Sequence, residues 1–339
     1  MGNQQQRDVG YDFIRGLSIL LIIIYHFYHS CVVSTNKFPL FLEWVINHYP
    51  LEFGKIGVCL FFMLSGAVLI LSKQEKIKEF YKKRFLRIEV PQWIAFILAY
   101  LFIWVHPLFS APINLSGTII SFFGLNYFNE PWQVFGIKSF CVVGEWFSAV
   151  IILLYLIFPL LKYLFYKSRL ITTIAILILF ALNLKYQILS GDRGWFSITN
   201  ALMCFWLGML FEEYKNHFSS YYYRLAGIMA IIIYLIKPAH IWGYPQVSCM
   251  LFSILLFIAL YNVKISNAFT KYFSKYSYEI YLIHHNFYLC FIPLFFANNT
   301  TTVQFILVFF ILTGMICLIA EFINKLSNKT IQKINQKIG

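Results

Sequence analysis

Charge is scarce in this chain. Only 12% of its 339 residues are Asp, Glu, Lys or Arg, and 60% are hydrophobic. An ordinary soluble domain carries about 25% charged residues, so a soluble globular protein is excluded. Acidic residues are the scarcer kind: 14 Asp and Glu stand against 27 Lys and Arg, for a net charge of +13. Long polar stretches are missing too, which leaves no room for a separate soluble domain. The seven cysteines form no CxxC pair and no other metal-type spacing, so no metal is expected. A glycine-rich phosphate loop, an HExxH motif and an internal repeat are all lacking. Nucleotide cradling by a P-loop and zinc hydrolysis on a helix are thereby set aside.

What is present is apolar sequence in long unbroken runs. The spacing predicts an all-α polytopic membrane protein with about ten transmembrane helices, near 12–33, 56–73, 89–106, 142–165, 170–187, 196–212, 222–238, 246–263, 277–297 and 303–323. The runs are too long for barrel strands. The first has no small-residue cleavage site and reads as a retained span. The 107–141 connection is the one long insertion. Its apolar part, around 117–125, is too short to cross and reads as re-entrant or interfacial.

Charge placement sets the orientation. With both termini cytoplasmic, six Lys and Arg fall outside (Lys37, Lys55, Lys138, Lys185, Arg193, Lys237), Arg15 lies within the first span, and the rest fall inside. This is the positive-inside pattern. It accounts for most of the positive charge as topology and makes nucleic acid an unexpected partner. A single membrane domain over 1–339 is expected, ending in a basic cytoplasmic tail at about 324–339. Cys31 and Cys141 both fall near the expected outer face, where a disulfide is conceivable; most of the other cysteines read as inert packing residues.

Within the first span, Asp12, Arg15, His26 and His29 fall on one helical stripe. Arg15 and His26 are 11 residues apart, three turns and about 16 Å along a helix. Ionisable groups inside a span are costly and usually functional. Arg15 therefore reads as an anion ligand with Asp12 orienting it at i, i+3, the plainer reading being an interfacial ion pair. His26 reads as a proton-active group, against a hydrogen-bonded packing histidine.

Four further segments carry polar residues where chemistry needs them. Lys82, Lys83, Arg84 and Arg87 form a dense cationic patch where span 3 begins, suited to phosphate oxygens or to lipid headgroups. Gly57 to Gly66 places Ser65 and Gly66 in a span, more often packing than chemistry. Glu145 and Trp146 open span 4 at the outer rim, where an acid can orient a sugar hydroxyl or a histidine. Ser277, Tyr281 and the pair His284/His285 share one face of span 9, whereas Glu279 does not share a face with His284.

These segments, in this order, resemble the acyltransferase-3 family of bacterial membrane acyltransferases. Its opening Asp-x-x-Arg-Gly helix with a later histidine is matched by Asp12, Arg15, Gly16 and His26. Phe61, Phe62, Ser65 and Gly66 match its Phe-Phe-x-x-Ser-Gly span, and Arg84, Arg87 and Pro91 its cytoplasmic Arg-x-x-Arg and proline. Trp146 to Phe158-Pro159 and Ser277, Tyr281, Leu282, Ile283 and His284 complete the set. The likeness covers essentially the whole chain. Cys59, Glu89 and Glu145 are departures from the family's pattern.

The resemblance implies transfer of an acyl group, usually acetyl, from cytoplasmic acyl-coenzyme A to a hydroxyl of an envelope or exported polysaccharide or glycolipid, in the bacterial inner membrane. On that reading His26 is catalytic, as general base or transient acyl carrier; Glu145, at the acceptor side and a departure from the family's pattern, is the second catalytic candidate. Arg15, Arg84, Arg87 and Lys83 hold the donor's phosphates. Trp146, His29, Tyr281, His284 and Ser65 line the substrate path. The lipid bilayer is the remaining partner. The competing reading is a glycan or lipid-linked sugar transporter without catalysis, for which inverted repeats and broken helices in matching halves are the expected signs.

Overall fold

A computed structural model describes residues 8–35, 53–72, 76–105, 115–125, 142–186, 197–236, 245–296 and 301–338. Among them no β-strand occurs. The helices are α1 (Val9–Thr35), α2 (Phe53–Ile70), α3 (Ile77–Val105), α4 (Leu115–Phe122), α5 (Glu145–Tyr186), α6 (Ile198–Tyr214), α7 (Ser220–Ile236), α8 (Pro245–Tyr261), α9 (Ala268–Phe295) and α10 (Thr302–Ile338). Each expected apolar segment lies largely within one of them. Five stretches are long and apolar enough to cross a bilayer: Val9–Val33, Phe53–Ile70, Ile77–Phe102, Trp146–Tyr186 and Thr302–Lys337; Ser220–Leu235 and Val247–Tyr261 are shorter apolar helices.

Three local features explain themselves physically. The backbone of α5 leaves the helical region at Ser168 (φ −148°, ψ 45°), between the two spans expected from sequence. The break is satisfied by side chains: Thr172 Oγ1 donates to the Ser168 carbonyl at 3.0 Å and Arg169 Nε to the Phe165 carbonyl at 3.3 Å. The short apolar piece expected near 117–125 is α4, closed by a Schellman cap. Leu125 N–H reaches Ile120 O and Gly124 N–H reaches Ser121 O, both at 2.9 Å, with Gly124 at φ 65°. The basic tail is no loose appendage: α10 continues as helix through Ile338.

The chain divides into two compact units. The first comprises Met1–Ile22, Glu52–Lys73 and Lys162–Ser277. Its centre is the crossing of α2 and α6. A Cβ on Gly66 would overlap the backbone of Phe205, and one on Gly208 would overlap the backbone of Met63. Two glycine notches thus admit two backbones into direct contact, the close approach that small residues permit in membranes. Trp206 and Phe205 are fully buried there, with Trp206 Nε1 donating to Thr173 Oγ1 at 2.9 Å.

A polar staple joins the start of α1 to the ends of α6 and α8. Tyr11 OH donates to Glu212, and Tyr261 OH to Asp8 Oδ2 at 2.8 Å. Lys215 Nζ lies 2.8 Å from Glu212 Oε1 and 3.8 Å from Asp8 Oδ2, over the Tyr11 and Tyr261 rings. Burial opposes charge on Asp8, but the Tyr261 hydroxyl, Lys264, the Gly10 amide and Lys215 outweigh it and hold its carboxyl below the usual range. Burial likewise opposes charge on Lys215, and Glu212 with Tyr261 raises it above the usual lysine range.

The second unit comprises Ile23–Leu51, Gln74–Leu161 and Tyr278–Gly339. On one side of α1, Phe27 packs among Tyr288, Phe305 and Phe309 with ring centroids 5.3, 5.0 and 5.1 Å away. Trp93 of α3 stacks on Phe122 of α4. Within α3, Pro91 has no N–H for the carbonyl four residues earlier, which loosens that turn. Tyr278 OH donates into it, to the Ile88 carbonyl at 3.1 Å, so the Ser148 hydroxyl at 2.8 Å must be the donor to Tyr278.

Candidate active site

The second unit holds a cluster of four imidazoles. α1 supplies His26 and His29, and α9 supplies His284 and His285. The His26 ring centroid lies 4.6 Å from His285, 4.8 Å from His284 and 6.4 Å from His29. Tyr25 closes the cluster, edge-on to His26 and stacked on His29. His26, His29 and His285 are partly exposed, while His284 is buried. No group of three or more metal-ligating side chains with suitable geometry occurs among the described residues.

Backbone geometry fixes one proton. His284 Nδ1 lies 2.7 Å from the Tyr281 carbonyl and 3.2 Å from that of Ile280. Carbonyls only accept, so Nδ1 carries the hydrogen. In the neutral ring Nε2 then holds a lone pair. That Nε2 is buried with no hydrogen-bond partner among the described residues, and so is Nδ1 of His26. Sequence reasoning placed His284 and His285 on one helix face; their convergence on His26 is a tertiary contact that no spacing revealed. His285, the nearest ring to His26, was missed as a site residue, although the adjacent histidine doublet was the available signal.

The cationic patch lies in the same unit, at the start of α3. Lys83 and Arg87 are exposed and Arg84 is half-buried, its guanidinium over the Phe80 ring at 5.7 Å. About three turns of mostly polar helix therefore present cations to any phosphate that approaches. The next turn of α3 is wholly buried from Ile88 to Gln92. It carries two polar side chains, Glu89 and Gln92. Glu89 Oε2 and both amide heteroatoms of Gln92 lack a hydrogen-bond partner among the described residues.

The remaining expected site residues fall as follows. In the first unit, Arg15 Nη1 contacts Asp12 Oδ1 at 3.1 Å and Ser274 Oγ at 3.3 Å, while Ser274 donates to the same Asp12 oxygen at 2.9 Å. Asp12 thus pairs with Arg15 at i, i+3 as the spacing predicts. Also there, Ser65 donates back to the Phe61 carbonyl at 2.8 Å, a bond within its own helix. In the second unit, Tyr281 is buried against the Phe147 ring, centroids 4.8 Å apart. Gly144 makes room for it, since a Cβ there would press on the Tyr281 ring. Trp146 is partly exposed beside Phe147. The Glu145 side chain and Cys141 lie outside what the structure describes, and with Cys141 the expected Cys31 pairing.

Helices of this length and apolarity, and the absence of strands among the described residues, define an α-helical multi-pass membrane protein. Within that class the family is shown by sequence. The family model for an acyltransferase domain, acyltransferase 3, matches residues 8–321, and the chain belongs to that family. No curated protein and no solved structure matches it.

Proposed function

We propose that this protein is a membrane O-acyltransferase. It moves an acyl group, in the first instance acetyl, from cytoplasmic acyl-coenzyme A to a hydroxyl of an envelope or exported polysaccharide or glycolipid. The setting is the bacterial inner membrane, crossed ten times with both termini inside. The observation that carries the reading is His26: a partly exposed imidazole backed by two others, in the same unit as the Arg84 and Arg87 pair. Family membership supports acyl transfer and gives no support to transport.

The chemistry follows from these groups. Arg84, Arg87 and Lys83 offer forked and point cations to the phosphates of coenzyme A. Arg15, held by Asp12, offers a further guanidinium. The acceptor oxygen attacks the thioester carbonyl while His26 takes the hydroxyl proton. The new C–O ester bond forms, the C–S bond breaks, and His26 returns the proton to the departing thiolate. The acyl-carrier route instead passes the acyl group through a His26 nitrogen before the acceptor takes it.

Purified protein in lipid nanodiscs, given radiolabelled acetyl-coenzyme A, tests the reading. We expect thiol release and label on a glycan acceptor with the wild type, and neither with His26→Ala at equal folded yield. Full activity in that variant sinks the proposal. Label retained on the protein without acceptor selects the carrier route over the base.

A further inference from the structure

Beyond that reading, and resting on it for its catalytic consequence, we infer that His284 is a positioning residue that sets the tautomer of His26. The sequence suggested a substrate contact for His284. Its geometry suits another task. The ring is buried behind His26, at 2% exposure, so little of it is open to a substrate. Its Nδ1–H is committed to the Tyr281 and Ile280 carbonyls. Those two bonds hold the ring plane and leave Nε2 as an acceptor, buried and without a partner among the described residues.

His26 offers the complementary atom. Its Nδ1 is the buried nitrogen without a partner among the described residues. The two rings meet edge-on, 67° between planes and 4.8 Å between centroids. The 4.8 Å spacing has room for an N–H···N bond between the two orphan nitrogens, in which each satisfies the other. Buried polar atoms are strongly driven to pair. Because His284 Nε2 can only accept, His26 must carry its proton on Nδ1. Nε2 of His26 then keeps its lone pair for the reaction. This is the division of labour found wherever a base is oriented through one nitrogen and reacts through the other. Here a neutral imidazole with two carbonyl bonds supplies the orienting acceptor. No carboxylate takes that part in the described cluster. Glu279, five residues before His284, is turned to Asn324 instead, accepting its amide at 2.7 Å.

The inference is tested by 15N spectra of protein labelled at histidine, with the His26 signals assigned by their loss in His26→Gln. The wild type is expected to show His26 protonated at Nδ1 and bare at Nε2. His284→Gln, whose side-chain carbonyl reaches the Nε2 position, should keep that tautomer. His284→Phe, which keeps ring bulk without an acceptor, should release it to the Nε2–H form. Turnover should follow: kcat falls roughly 10–100-fold in His284→Phe and recovers in His284→Gln, with the KM for acetyl-coenzyme A unchanged. A wild-type His26 bearing its proton on Nε2, or a tautomer indifferent to His284→Phe, overturns the inference. If His284→Phe does not fold, the wild-type and His284→Gln spectra decide. Should the wild type show no acyl transfer at all, the functional reading fails, yet the tautomer still judges this inference by itself.

Discussion

Gly66 and Gly208 face each other's helix as reciprocal notches. A Cβ on either would overlap the opposing backbone, at Phe205 or at Met63. Neither backbone can move aside as a flexible side chain would. Gly66→Ala and Gly208→Ala should each lower thermal stability in detergent by the equivalent of about 1–3 kcal/mol. Gly314→Ala is the control: nothing lies within 4 Å of its added Cβ. There, better helix propensity should leave the melting temperature equal or higher.

Tyr278 ties three elements through one oxygen. Its hydroxyl donates to the Ile88 carbonyl in the turn loosened by Pro91 and accepts from Ser148. Tyr278→Phe leaves both of those groups without that partner in a buried site. The expected cost is about 1–3 kcal/mol, read as a lower melting temperature. Adding Ser148→Ala should cost less than it does alone, since the two share the bond. Strict additivity of the two losses counts against the shared bond.

The staple at Asp8 and Lys215 gives a pH signature. Asp8 has its carboxyl pKa lowered by folding, so its stabilisation is present above the unfolded value and is lost as pH falls through the folded one. Lys215 has its pKa raised, so its share is present below the unfolded value and is lost as pH rises through the folded one. Asp8→Asn should therefore melt below the wild type at neutral pH, by about 1 kcal/mol or less. The two curves should converge toward acid. A gap that stays constant to pH 3 contradicts the assignment.

The cations of α3 should act on donor binding. Each charge-assisted hydrogen bond to a phosphate is worth about 1.5–3 kcal/mol. Arg84→Ala and Arg87→Ala should thus raise the KM for acetyl-coenzyme A roughly 10–100-fold. Arg→Lys at either position should recover only part, because the ammonium cannot form the fork. Unchanged KM in both alanine variants removes them from the donor site.

Much of the helical layout was legible because apolar runs are long and the breaks between them are charged. The gap between the spans expected at 142–165 and 170–187 holds the interruption that the structure places at Ser168. The i, i+3 pairing of Asp12 with Arg15 followed from helix periodicity alone. Ser274, which joins that pair from 262 residues away, did not. Periodicity reports which face a residue occupies and is silent on what meets it. For the same reason the His284–His26 contact, the Gly66–Gly208 crossing and the burial of Glu89 and Gln92 were out of reach. Ser65 lies in a family motif, and its hydroxyl donates back onto its own helix, a bond that the motif did not reveal.

The staple at the start of α1 has a consequence for assembly order. Tyr11 and Asp8 find partners 201 and 253 residues later in the chain. On a ribosome, α1 is made first, and the residues that satisfy its opening turn follow only with α6 and α8. Until then its carboxylate and phenol must be served by headgroups and water at the membrane edge. The staple therefore closes in two steps: truncation before α6 should leave the first helix inserted yet unfastened, and truncation between α6 and α8 should leave only the Glu212 and Lys215 half of it.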